Sequence, residues 1–89
     1  MSDTPPPHII VIVHVTDRIH HAGELQQVLT EYGCSIKTRL GLHEVDKAHC
    51  APSGLIVLEM FGDPGPIADM ITKLEAITGL DVRRLDFPH

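Results

Sequence analysis

Apolar residues along this chain recur with two periods, and the switches between them mark the elements. His8 to Val15 (HIIVIVHV) is β-branched and almost wholly apolar. It is short for a helix and predicts a strand covered on both faces. Ala22, Leu25, Val28, Leu29 and Tyr32 then fall on one helical face. Thr16 or Asp17 can supply the N-cap oxygen, and Gly33 is expected to close the helix. From Ser35 to Leu42, Ile36, Thr38, Leu40 and Leu42 alternate with Lys37, Arg39 and Gly41, which predicts a strand with that set turned to the core. Residues 43–53 (HEVDKAHCAPS) break both periods and read as a long loop. Residues 54–61 (GLIVLEMF) are a second near-continuous apolar strand. Gly62 and Asp63 turn the chain, and Asp63 can cap a helix started by Pro64 or Pro66. Ile67, Met70, Ile71, Leu74 and Ile77 form its stripe, Gly79 ends it, and Leu80 to Phe87 is the last strand. Residues 1–7 (MSDTPPP) are expected to be a disordered, proline-rich leader to a single domain over 8–89.

The order β-α-β-β-α-β predicts an α+β, ferredoxin-like fold: a four-stranded antiparallel sheet with both helices on one face. The first and third strands, the two apolar on both sides, belong in the middle. The helices can cover only one side of the sheet. The other would expose Ile10, Ile12, Ile56, Leu58 and Met60, or the alternate residues. A patch of that size points to a partner surface. The expectation is a homo-oligomer, dimer or tetramer, that pairs sheets by face or by edge.

Composition narrows the function classes. The chain has 89 residues, room for one domain. Seven basic against twelve acidic residues give a net charge of −5, which argues against direct nucleic-acid binding. Aromatics are 3% with no Trp, too few for a base-stacking sheet. Two cysteines, Cys34 and Cys50, make no disulfide framework. No signal-peptide pattern is visible at the N-terminus, and the longest apolar run, Ile9 to Val13, is far too short to span a bilayer. A cytoplasmic protein with reduced thiols and no membrane contact is expected.

Histidine is the unusual count, at seven. A metal site built from His20, His21, His43, His49 and Cys50 is the alternative functional reading. Yet adjacent helical side chains diverge by about 100°, and no H-x-x-x-H, C-x-x-C or H-E-x-x-H spacing occurs. Surface and loop histidines are the favoured reading. His49 and Cys50 could form a nucleophile pair, but nothing in their loop supplies an orienting group or an oxyanion site. No enzyme is expected. No cofactor is expected either, with a metal ion as the alternative. Cys34, just past a helix end, reads as a small core residue. Lys37, Arg39, Arg83 and Arg84 fall on the second and fourth strands, the expected sheet edges, where charge blocks unwanted pairing. Arg39 beside Gly41 is also a candidate anion site. So is the Thr16-Asp17-Arg18 turn, at a helix N-terminus.

These residues resemble the ACT-type regulatory domain. Asp17-Arg18 follows the first strand, and Gly23, Leu25, Val28-Leu29 and Gly33 follow in turn. The chain is more closely similar to the small single-domain ACT-like family of iron-only hydrogenase system regulators. The likeness rests on Arg39-Leu40-Gly41, on the apolar stretch Gly54 to Met60, and on Lys73-Leu74…Ile77…Gly79…Val82. The resemblance implies a non-enzymatic regulatory role, transcriptional or in a hydrogenase system, with a small effector held at a subunit boundary near Asp17, Arg18, Gly23, Arg39 and Gly41. A pure protein-interaction module with a protein partner is a further alternative. The G-x-V-Q-G-V-x-F-R loop of acylphosphatases and the first-loop C-x-x-C of copper chaperones, which share this element order, are absent.

Overall fold

A computed structural model describes residues 7–16, 22–43 and 54–88. The elements are β1 (His8–Val15), α1 (Ala22–Glu31), a short 3-10 turn (Gly33–Ser35), β2 (Ile36–His43), β3 (Gly54–Met60), α2 (Pro64–Glu75) and β4 (Leu80–Phe87). The expected leader over 1–7, apart from Pro7, lies outside the described residues. The strands form one sheet in the order β2-β3-β1-β4, and every neighbouring pair is antiparallel. This is the ferredoxin-like α+β arrangement, with the two doubly apolar strands in the middle and the charged strands at the edges.

One core explains why the helices share a side. Ile9, Val11 and Val13 of β1 and Leu58 and Met60 of β3 are buried with Leu25 and Leu29 of α1 and Ile67, Met70 and Leu74 of α2. Each helix contributes the stripe its 3.6-residue period sets. Lys73 ties the helices from outside. Its Nζ lies 2.7 Å from Glu31 Oε1 and 5.2 Å from the centre of the Tyr32 ring. The Glu31 contact raises the Lys73 pKa.

The start of α2 follows its local chemistry. Asp63 accepts from the Gly65 N–H at 3.1 Å, and Pro64 takes the first helical position, where its missing N–H costs nothing. Gly62 and Gly79 flank the helix with φ of 92° and 95°, a region that side chains with a Cβ avoid. Asp63→Ala is expected to cost about 1 kcal/mol and to lower the melting temperature by roughly 4–8 °C, read by circular dichroism.

Three local expectations are corrected. Gly33 is not a left-handed cap, since the chain leaves α1 through the 3-10 turn, where Ser35 N–H donates to Tyr32 O at 2.9 Å. Cys34 in that turn is exposed rather than in the core. The third concerns β2. Its pairing with β3 slips between Ile36 and Thr38, so Ile36 faces Met60 while Thr38 already faces Glu59. This bulge flips the strand's phase. Ile36 stays with the core, Leu40 turns outward at 53% exposure, and Arg39 takes the helix side. The expected set of outward residues is split by the register of β1 against β3, which runs without a slip. Val11 pairs with Leu58 and Ile12 with Val57. Ile10 and Ile12 therefore share the open face with Leu55 and Val57, while Ile56, Leu58 and Met60 face the core.

Candidate functional site

The β2 bulge places the candidate anion site. Because Arg39 falls on the helix side at the sheet edge, its Nη2 donates to Gln26 Oε1 of α1 at 3.0 Å. Gln26 lies one turn beyond Gly23, and Gly41 lies two residues beyond Arg39 on the same side of β2. A Cβ at Gly23 or Gly41 would meet no atom within 4 Å among the described residues. The guanidinium thus stands at the margin between α1 and β2, beside two positions where no side chain takes up space.

The partners of Arg83, Arg84 and Lys73 set Arg39 apart from them. Arg83 Nε and Nη2 hold both oxygens of Asp81, at 3.0 and 3.2 Å. Arg84 holds Asp86 in the same two-pronged way, at 2.7 and 3.0 Å. These contacts hold both carboxyls below their ordinary range. Lys73 holds Glu31. Among the described residues Arg39 meets no carboxylate, only the neutral Gln26 amide. A guanidinium has five N–H donors, so Arg39 keeps donors for an anion.

Two further features lie at other corners of the molecule. Glu59 accepts from Thr38 Oγ1 at 2.8 Å and contacts His8 Nε2 at 2.8 Å. The Thr38 bond, then the His8 bond, lowers its pKa. Across the sheet, a shallow cleft of about 360 Å³ is lined by His14, Thr16, Gly79 and Asp81, among others. Thr16 donates both its N–H and its hydroxyl to the Gly79 carbonyl there, at 2.9 and 2.8 Å. That clamp joins the end of β1 to the turn before β4.

Of the site residues expected from sequence, Gly23, Arg39 and Gly41 are described, and the structure brings Arg39 against the helix that carries Gly23. Asp17, Arg18, His20, His21, His49 and Cys50 lie outside the described residues, as does the His43 side chain. Among the described residues no three His, Cys, Asp or Glu side chains gather as a metal site. Gln26 and Glu59 were not anticipated. Gln26 carries a weak signal in its spacing from Gly23, and Glu59 carries none beyond being the one charge in an apolar strand.

The fold and this geometry define a small α+β ferredoxin-like domain. Among the described residues no helix is long and apolar enough to cross a membrane. The chain is similar in structure to an uncharacterized protein, TM1266, from Thermotoga maritima. The TM-score is 0.74 at 22% sequence identity, over 89% of this chain and 94% of that one. That likeness is one of fold. The sequence matches no protein-family model and no curated protein.

Proposed function

We propose that this chain is a non-enzymatic, cytoplasmic regulatory module of ACT-like type, related to the iron-only hydrogenase system regulators. On this reading it binds a small anionic effector, such as an amino-acid carboxylate, at a boundary between copies of itself. The observation that carries the reading is Arg39. It is held in place by Gln26, has no carboxylate among the described residues, and stands next to the bare backbone of Gly41. Charge-assisted bonds from a planar guanidinium to a carboxylate are among the stronger polar contacts available. A domain this small has little concavity of its own, so a second copy is needed to enclose a ligand.

Calorimetric titration with amino acids and related carboxylates tests this. The expected result is saturable heat from at least one of them, and affinity lowered about tenfold or more by Arg39→Ala. Absence of heat from well-folded protein, or binding untouched by Arg39→Ala, overturns the reading.

A further inference from the structure

The side of the sheet away from the helices carries a pattern of its own. The registers set its residues in rows across β2, β3, β1 and β4. One row is Thr38, Glu59, Ile10 and Leu85; the next is Leu40, Val57, Ile12 and Arg83; the third is Leu55, His14 and Asp81. His8 and Phe87 continue the first side as a further pair. An apolar band therefore crosses the sheet obliquely, from Leu55 through Val57 and Ile12 to Ile10, Leu85 and Phe87. Leu85 and Phe87 at its outer end are well exposed, at 46% and 52%, as is Leu40 beside Val57, at 53%. The two corners flanking the band are polar and of different character. One holds Glu59, with Thr38 and His8. The other holds Arg83, with Asp81 and His14.

We infer that the open sheet face is the interface with a second copy of this chain, related by a two-fold axis along the apolar band. The inference rests on the homo-oligomer part of the reading above and specifies its geometry. An in-plane axis along the band reflects one flank onto the other. Glu59 and Arg83 lie at nearly the same height along the band, on opposite sides of it. The operation therefore sets Glu59 of each copy over Arg83 of the other, and this happens twice per dimer. An isologous interface needs this self-complementarity; Glu59 and Arg83 supply it, Arg83 through the Nη1 end of the guanidinium that its pair with Asp81 does not use.

Size and direction agree. Four strands about 4.8 Å apart, with eight residues at about 3.3 Å each, give a footprint of roughly 500 Å². With the relief of the side chains the whole face buries at most about 600 Å² per partner, the low end of specific interfaces. From Leu55 to Phe87 the band climbs about 20 Å over two strand spacings, about 10 Å, so it leans about 25° from the strands. Strands of the two copies then cross at about 50°, between the aligned and orthogonal classes of sheet packing. Twisted sheets stacked this way touch along a diagonal, and the long side chains of Glu59 and Arg83 reach across the parting corners.

The test is a charge exchange, read by sedimentation equilibrium from about 1 to about 100 µM protein. The wild-type chain is expected to be dimeric. Glu59→Arg and Arg83→Glu should each weaken the dimer about tenfold, because each turns two attractive pairs repulsive. The double variant, carrying both changes, should return to within a few-fold of wild type. Arg84→Glu makes the same charge change on the helix side of the same strand and should leave association unchanged. A dimer indifferent to the single changes, or not restored by the double one, overturns this pairing while the homo-oligomer reading stands. A monomeric wild-type chain overturns both, including the case in which a different protein or another stretch of this chain covers the face.

Discussion

A monomer that keeps its fold is the expected product of Ile12→Lys. Ile12 sits near the centre of the open face, between Val57 on β3 and Arg83 on β4. It packs no helix. In a single copy the lysine stem lies along its apolar neighbours and the ammonium reaches water, so circular dichroism should show little loss of structure. In the proposed dimer the same ammonium is taken from water at the middle of the contact, among Leu55, Val57 and Ile10 and beside Arg83, and the nearest carboxylate, Glu59 of the second copy, is already taken by that arginine. A buried charge without a carboxylate of its own costs several kcal/mol, which is about a hundredfold or more in the dissociation constant. Sedimentation velocity reads the result directly. A variant as dimeric as wild type would show that copies do not meet on this face.

The second large effect lies inside the domain. Leu58→Ala is expected to cost about 2–5 kcal/mol. Leu58 is fully buried on a central strand, with Val11 of β1 on one side and Arg39 of β2 on the other. Helix side chains close the site from above, and the core it belongs to has few other members. Small domains hold only about 5–15 kcal/mol in total. At 4–8 °C per kcal/mol the melting temperature should fall by roughly 8–40 °C. Leu40→Ala removes the same atoms from a side chain already half in water and should shift it far less. Equal shifts for the two variants would contradict the placement of the core.

The contrast between Leu58 and Leu40 also shows how far the sequence could be read. Both lie in stretches that the hydrophobic pattern marks as strand, and element order, strand order and helix stripes all follow from such patterns. Periodicity has no account of a single inserted residue. The slip at Lys37 reverses the phase of β2 after Ile36, so the alternating set Thr38 and Leu40 points away from the core it was expected to join. Arg39 became a neighbour of α1 by the same slip. The pattern marked it as an edge charge and a candidate anion ligand, but not as a partner of Gln26, because that contact depends on how a helix lies over a strand. Cys34 was misjudged because a 3-10 turn follows α1, and a turn of that kind puts its side chains at the surface. The phase of β3 against β1 could not be read either, since both strands are apolar on both sides and either register looks acceptable until pairing fixes it.

The central place of β1 has a consequence for how the chain is made. Its two neighbours, β3 and β4, come from residues 54–60 and 80–87. On the ribosome the apolar segment from Ile9 to Val13 emerges before both of its flanks and waits for them until almost all the described chain has been synthesised. Folding must then close long loops before these contacts form, which slows it, and an unpaired apolar strand is prone to aggregate meanwhile. A circular permutant that opens the chain between α1 and β2 would bring β1 next to β4 in synthesis order. It should fold faster in refolding experiments while reaching the same sheet.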